Sequence, residues 1–455
     1  MEAPFSLQDI GGQIGSSIGA FFSSLEDLAL DPSSLPLRMQ VIEEGNRLTG
    51  SINETFDHLA GLQREADTRL ETKVEELNKL TEDIAGLNSQ ILSTEIGEQQ
   101  NLALRDRRES FIKELSELVK VKCVEDERGS VALSLENGFT LVNGSSKRDL
   151  TFTNTPTFAE PNGLPPGLDG ASLGSIVYET QAASGNSQFD LTKVLRSSSG
   201  EIGGLLCARG VQHLSDTSTF HCDGDLVTVA TRVEAMARDL LVNFNRAYLG
   251  ADEDSTVAGL QSSAGDMRGS SPSFDGLFSF EGLADEDGNG LVESGDLETY
   301  SDLNGGFGSF AKVLNFKVSD PLSIAASRDL DSTEGVKSFG EGDSRNIDAL
   351  IALRNEEREF TIPDLNPSLQ TKCTIEELYN STVSLAGTLS YNAQRELEIS
   401  TDQETQVEEF HSSLSAVSLD EELAQLLSFQ KAFEGSAKLV KISDDLLSQI
   451  IQLAG

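Results

Sequence analysis

The fold is decided by the C-terminal stretch, residues 417–455, which begins Val417-Ser418-Leu419-Asp420-Glu421-Glu422. Ser418 and Glu421 stand three residues apart, the spacing of a capping box, in which a hydroxyl and a carboxylate satisfy free amide groups at the start of a helix. No proline follows them. We therefore predict that a helix begins at Ser418 and continues towards the C-terminus.

This predicted helix carries an apolar seam whose members recur at spacings of three, four or seven residues. They are Leu423, Leu426, Phe433, Ala437, Val440, Leu447 and Ile451. Such a seam stays on one side of a helix that supercoils against a partner. Two interpretations stay open: an assembly helix, in which these side chains contact other subunits and Ser418 and Glu421 cap its start, or an ordinary core helix.

The composition excludes several classes of protein. With 34 basic and 75 acidic residues the chain has a formal charge of -41, which repels nucleic acid and anionic membranes, so neither is an expected partner. The four cysteines show no pairing rhythm, which argues against a disulfide framework and against a zinc site of the cysteine type. No apolar run approaches the roughly 18 residues of a membrane span, and no secretory signal is recognisable. We expect a soluble protein.

The N-terminal part is predicted to be helical. Residues 6–30 carry apolar side chains at spacings of three and four, which indicates an amphipathic helix that ends at Asp31-Pro32. A long, highly charged helix with one apolar stripe is predicted from about Leu37 to Ile91, and a third from Leu102 to Val119.

After Lys122 the apolar period changes to two. Strands are predicted at Val121–Glu125, Val131–Leu135 and Phe139–Val142, and Asn137-Gly138 predicts a hairpin turn between the last two. Helices are then predicted at Leu191–Leu195, Gly200–Val211 and Leu226–Phe244. The middle of the chain is therefore mixed.

The remaining residues divide by composition. Residues 250–342 are rich in Gly, Ser and Asp and predict a small β-rich insertion with long loops. Helices resume at Ile347–Arg354 and from Thr374 towards Phe410.

These elements predict an α+β fold, in which the N- and C-terminal regions form a long antiparallel helical bundle around a β-rich middle domain and insertion. The predicted domains are an N-terminal helical shaft, a β-hairpin region followed by helices, the β insertion, returning shaft helices and the C-terminal assembly helix. Their bounds are 1–120, 121–249, 250–342, 343–416 and 417–455.

A twelve-residue acidic stretch in the insertion follows the calcium-loop pattern of EF-hands and dockerins. Gly290 stands where that loop turns sharply, whereas the last position holds Asp rather than the bidentate Glu of an EF-hand. The stretch is either a structural calcium site or a solvated acidic loop. Its predicted ligands are Asp285, Asp287, Asn289, Leu291 (through its carbonyl), Glu293 and Asp296.

Other motifs carry little chemistry. His213, His221 and Cys222 lack a further cysteine or a spaced histidine pair, and are predicted as surface loop residues rather than a metal site. A hydrolase elbow G-x-S-x-G occurs at residues 15–19 and 170–174, but it needs a strand before the serine and a helix after it, which neither context predicts. Gly200 to Gly210 lacks the lysine of a nucleotide loop. We predict no catalytic site and no enzyme activity.

Two stretches resemble a known family. The first runs from Val74 to Val142 and includes Asp106-Arg107-Arg108-Glu109; the second runs from Val417 to Lys438. Both resemble the bacterial flagellar hook-associated proteins of the hook–filament junction, with supporting matches at Ile324–Ser327 and Gly342–Asn346. Flagellin and the hook proteins share the second stretch in looser form, and the first separates the junction proteins from them.

The resemblance implies a structural adaptor that joins hook to filament by helix-mediated polymerisation. It implies self-association into a ring, with the hook protein, a second junction protein or filament subunits, and an export chaperone as partners. The implied location is extracellular, on the flagellum, after export by the flagellar secretion system without a cleaved signal. No cofactor is implied, so calcium is the one ion considered. The alternatives are a flagellin-type filament subunit and a secreted calcium-binding surface protein.

One departure from the family concerns the N-terminus. Members normally begin with a helix rich in small residues and an Asn-rich motif, which pairs with the C-terminal helix in the inner tube of the flagellum. That segment is missing before Met1, so we expect the C-terminal helix without its mate. Export and insertion into the tube both depend on that segment in the family.

Overall fold

The computed structural model describes most of the helical chain and parts of its middle. The described residues are 7–95, 101–153, 168, 173–182, 185–214, 220–222, 224–249, 264–265, 276–281, 283, 309–328, 342–362, 369–415, 423 and 426–441. The chain divides into two compact units, Met1–Gly387 and Thr388–Gly455.

Three helices open the first unit: α1 at Leu7–Leu30, α2 at Leu35–Thr94 and α3 at Leu102–Leu118. All three are confirmed. At 60 residues, α2 is about 90 Å long. Its apolar stripe is buried from Val41 to Ile91, so it is the spine on which the rest of the unit packs.

A four-stranded antiparallel sheet follows, in the order β1-β2-β3-β4. The predicted Asn137-Gly138 hairpin joins β2 to β3 and is confirmed, with Gly138 in the left-handed region at a φ of 86° and the Asn137 side chain accepting a hydrogen bond from the amide of Phe139. The strands are β1 at Val121–Glu125, β2 at Val131–Leu135, β3 at Thr140–Asn143 and β4 at Ser146–Lys147.

A second antiparallel sheet was not predicted. It contains β5 at Thr151–Thr153, β6 at Ser175–Ala182 and β7 at Gly185–Asp190. The two sheets share one apolar core with α2 and α3, which includes Leu77, Leu115, Leu133 and Ile176. The β-containing middle is therefore attached directly to the helical spine.

The next helices are confirmed: α4 at Thr192–Arg196 and α5 at Glu201–Arg209. The hairpin after them, β8 at Gln212–Leu214 with β9 at Phe220–Cys222, corrects the prediction of a surface loop for His213, His221 and Cys222. These residues lie in strands, and His213 stands opposite His221 in the ladder.

The predicted helix from Leu226 is also confirmed. It comprises α6 at Asp225–Asp239, one π-helical turn at Leu240–Phe244, and α7 at Asn245–Leu249.

Parts of the predicted insertion lie in the core of the first unit. The elements described there are short: β10 at Ala264–Gly265, β11 at Phe278–Ser279, α8 at Phe310–Val313, β12 at Asn315–Phe316, a 3-10 turn at Pro321–Ser323, and β13 at Ser327–Arg328. β11 pairs with β12 and β10 with β13.

The ring of Phe278 meets those of Phe21, Phe244 and Phe316 at centroid distances of 5.8, 6.0 and 5.5 Å. Residues 276–280 and 309–328 thus pack on the helices of the first unit.

Helix α9 at Arg345–Ala352 and an unpredicted hairpin, β14 at Arg358–Ile362 with β15 at Leu369–Cys373, lead to the long helix α10 at Ile375–Ser415. A capping box starts α10: the Thr374 amide donates to the Glu377 carboxylate, and the Glu377 amide donates to the Thr374 hydroxyl. The second unit has a described helix at 426–441, here α11, with a further helical residue at Leu423. The α+β class with helical ends is confirmed.

Candidate functional site

The first turns of α10 are part of the core of the first unit. Ile375, Leu378, Thr382 and Ala386 are buried at spacings of three and four. The ring of Tyr379 lies so close to α1 that a Cβ at Gly15 would overlap it. The first G-x-S-x-G stretch is therefore a helix interior with a packing role, and no nucleophile elbow forms there.

Burial along α10 then ends. From residue 391 onwards, every residue of α10 whose side chain is described is exposed. Apolar residues continue in this exposed part, among them Tyr391, Leu397 and Phe410, which is 66% exposed. An apolar helical surface of this kind marks a protein interaction site.

The described part of the predicted seam is exposed as well. Phe433 is 77% exposed and Val440 70%, and Leu423, Leu426 and Ala437 are exposed with them. The cap residues Ser418 and Glu421 and the seam residues Leu447 and Ile451 lie outside the described residues. The assembly role of all nine residues stays a prediction.

The exposed apolar surface is wider than the predicted seam. Leu427 lies one helical turn after Leu423, and Phe429 lies one turn before Phe433, so both widen the stripe. Their fractional exposures are 55% and 74%. The predicted seam does not include them because a coiled-coil seam is narrow, whereas a helix that enters a larger core carries a stripe at least about 100° wide.

A buried ion pair fixes the hairpin that precedes α10. Arg358 of β14 donates from Nε and Nη2 to the two carboxylate oxygens of Asp239 at 2.8 and 2.7 Å, and from Nη1 to the carbonyl of Leu353 at 2.6 Å. Both side chains are buried. The two residues are 119 positions apart, so no local pattern could have found this contact.

A second polar network explains residues on which the family resemblance rests. Arg108 of α3 is buried and donates to the Asn88 side chain, the Gly129 carbonyl and Glu125. Next to it, the Arg105 guanidinium bonds Glu95 through two nitrogens and lowers the pKa of that carboxyl to about 2. These charges hold the end of α2 and the first turns of α3 on the first sheet.

The pKa of another carboxyl in the first unit is raised rather than lowered. Desolvation raises the pKa of Glu234 of α6 to about 7, although the amides of Phe310 and Ala311 donate to its two oxygens at 2.8 and 2.9 Å and Arg238 is near. This carboxyl holds the start of α8 on α6.

The metal predictions have different outcomes. The calcium loop, Asp285 to Asp296, lies outside the described residues and stays a prediction. Among the residues that the structure describes, no group of three or more His, Cys, Asp and Glu side chains could hold a metal ion. Within the same residues, no helix is long and apolar enough to cross a bilayer.

Comparison with known proteins identifies the family. The model of the flagellar hook-associated protein FlgK helical domain matches residues 6–259, more than half of the chain. A second model, of the C-terminal part of the flagellar basal body rod proteins FlgEFG, matches residues 411–453.

Relatives that match include flagellar hook-associated protein 1 of Bacillus subtilis, 24% identical over 466 residues that cover 100% of this chain and 79% of the relative. The Escherichia coli protein of the same name is 22% identical, with coverages of 95% and 79%. The Salmonella typhimurium protein is 28% identical over 214 residues, and that match covers 46% of this chain and 35% of the relative. The chain thus aligns with about a third of the Salmonella protein's length.

Among solved structures, the flagellar hook junction protein FlgK of Burkholderia pseudomallei superposes with a TM-score of 0.61 at 14% identity, covering 90% of this chain and 95% of that one. This match supports the fold. Together with the model that spans residues 6–259, these findings confirm the resemblance inferred from the sequence. The chain belongs to the family of the flagellar hook-associated protein FlgK.

Proposed function

We propose that this chain is a structural component of the bacterial flagellum that joins hook to filament by polymerising through its C-terminal helical region. One observation carries the proposal: burial along α10 ends after Ala386, and the apolar residues whose side chains are described between Tyr391 and Val440 are exposed. Burial of one large apolar side chain is worth about 1.5–3 kcal/mol, so these residues favour association with further subunits.

The names of the matching proteins support this proposal. The solved neighbour is named a hook junction protein, and the relatives are named hook-associated proteins. The model that matches residues 411–453 describes rod proteins, so the C-terminal helix is of a kind that other flagellar proteins carry.

We propose the flagellum as the site of action, with the hook protein, a second junction protein or filament subunits, and further copies in a ring as partners. Export would use the flagellar secretion system and a chaperone, without a cleaved signal. We propose no catalysis, since the chain belongs to a family of structural flagellar proteins and its first hydrolase-like motif lies inside α1.

The experiment compares the full chain with a version that ends at Ala416, each with and without an added N-terminal helix of the family type. Circular dichroism measures helicity and sedimentation measures size. An isolated amphipathic helix is marginal in water, so we expect both quantities to rise only when both ends are present. Equal helicity and size in all four samples would contradict the proposal.

Point variants refine this experiment. Leu426→Glu and Phe433→Glu place a charge in the seam, whereas Ser428→Glu places the same charge on the same helix outside it. We expect the two seam variants to lose assembly and to fail to restore swimming in cells that lack the protein. Ser428→Glu should behave as the unaltered chain does.

A further inference from the structure

An aromatic patch on the first unit holds an arginine between two rings. The Arg148 guanidinium lies 5.3 Å from the ring centroid of Phe139 and 5.6 Å from that of Tyr178, and the two rings meet edge to face at 5.2 Å. Phe189 stands opposite Tyr178 in the β6–β7 ladder and is 55% exposed. We call Phe139, Arg148, Tyr178 and Phe189 the arginine–aromatic patch.

The charge of Arg148 is not neutralised within the described chain. Among the described residues no carboxylate lies within ion-pair distance of it, and its Nη1 donates a 3.4 Å hydrogen bond to the carbonyl of Thr140. Two other exposed arginines each bond a carboxylate: Arg47 bonds Glu44, and Arg69 bonds Glu65. In a chain with 75 acids and 34 bases, an exposed cation held by ring faces instead of a carboxylate remains available to a partner.

The patch is also preorganised. Phe139 directly follows the rigid Asn137-Gly138 turn of the first sheet, whereas Tyr178 and Phe189 belong to the second sheet. Arg148 lies on the segment that connects the two sheets. A partner would thus find side chains whose conformational entropy is largely lost already, which favours binding. Tyrosine and arginine are also among the residue types enriched at the energetic centres of protein interfaces.

We propose that the arginine–aromatic patch binds an acidic surface of a second copy of this chain. The inference rests on the proposed polymerising function, since it needs many copies side by side. Charge complementarity selects the occupant: with a net charge of -41, a second copy presents carboxylates widely, for example Glu71, Glu75 and Asp83 on the exposed side of α2. A contact between unlike surfaces can repeat from copy to copy and close a ring.

The test measures self-association of the full chain, with the added N-terminal helix of the family type present, by sedimentation over a wide concentration range, at low salt and at 0.5 M salt. Arg148→Glu should weaken association at least tenfold at low salt, and Arg148→Gln and Phe189→Ser should weaken it less. High salt should narrow the difference between Arg148→Glu and the unaltered chain, because screening weakens a contact that is ionic in part. The matched control is Arg128→Glu, the same charge change at an exposed arginine in the β1–β2 turn, which should have no effect.

Thermal melting of each variant shows whether it folds. Phe189→Ser is expected to fold normally, because Phe189 is already largely exposed. Normal association of folded patch variants would overturn the inference, and so would the absence of any self-association of the unaltered chain at the highest concentration reached. If Leu426→Glu abolishes assembly while the patch variants assemble normally, the inference fails and the proposed function stands. If neither set of variants alters an association that does occur, both fail.

Discussion

The helix α2 and the described helical residues 391–415 and 426–441 carry the same kind of apolar pattern, but the stripe is buried in α2 and exposed in the others. Both are long, charged and striped with apolar residues. The stripe of α2 is buried from Val41 to Ile91, whereas the apolar side chains described from Tyr391 to Val440 are exposed. A periodic apolar stripe therefore indicates that a helix packs against a partner. It does not indicate whether that partner belongs to the same chain.

The largest expected effect compares a buried phenylalanine of the first unit with an exposed phenylalanine of the C-terminal helix. Phe278 is fully buried among three other rings, and Phe429 is 74% exposed. Phe278→Ala should lower the free energy of unfolding by about 3–5 kcal/mol because it leaves a cavity. Phe429→Ala should change it by less than about 0.5 kcal/mol. Denaturant unfolding of the full chain measures both, and equal losses would mean that the exposed helix is covered by its own chain.

A second test compares the loss of a buried ion pair with the loss of an exposed one. Arg358→Ala leaves Asp239 buried without its partner and should cost about 3–5 kcal/mol. Arg69→Ala removes an exposed pair with Glu65 and should cost at most about 1 kcal/mol. Unfolding in denaturant again gives both values. A small effect of Arg358→Ala would show that water reaches Asp239.

Two carboxyls of the first unit, Glu234 and Glu95, should contribute to stability over different ranges of pH. The pKa of Glu234 is raised from 4.5 to about 7 in the folded protein, so its contribution to stability is complete below about pH 4.5 and is lost as the pH rises through 7. The pKa of Glu95 is lowered to about 2, so its contribution is present above about pH 4.5 and is lost as the pH falls towards 2.

Two variants assign these contributions. Glu234→Gln should remove the part of the decline between pH 4.5 and 7, and Glu95→Gln should remove part of the loss at acidic pH. The measurement is the melting temperature of each variant at a series of pH values. Parallel curves for Glu234→Gln and the unaltered chain would show that Glu234 titrates in the folded protein as it does in the unfolded one.

The smallest effect concerns the predicted calcium loop. Calorimetric titration should show one calcium ion per chain, with binding lost in Asp287→Ala and strengthened in Asp296→Glu, because the longer glutamate can bind the ion through two oxygens. Saturation should raise the melting temperature only as far as the binding free energy allows. Absence of binding heat in the unaltered chain, together with an unchanged melting temperature, would identify a solvated acidic loop.

Local patterns predicted a large part of the fold. The bounds of α1, α3 and β1, and the Asn137-Gly138 turn, agree with the structure within about two residues, because apolar periodicity and turn chemistry act over short stretches. The hairpin β6–β7 was missed because Phe189 is the one large apolar residue of β7 and no Asn-Gly pair in the sequence separates the two strands. The hairpin β14–β15 was missed as well.

The sequence by itself determined the helical ends, the acidic character and the motifs that place the chain in its family, since each depends on residue identity and short spacing. The tertiary structure decided which apolar stripes are covered, which parts of 250–342 enter the core, and that Arg358 meets Asp239. It also brought Arg148 between Phe139 and Tyr178. The physical reason is that burial and ion pairing depend on what packs against a residue, and here those partners come from distant parts of the chain.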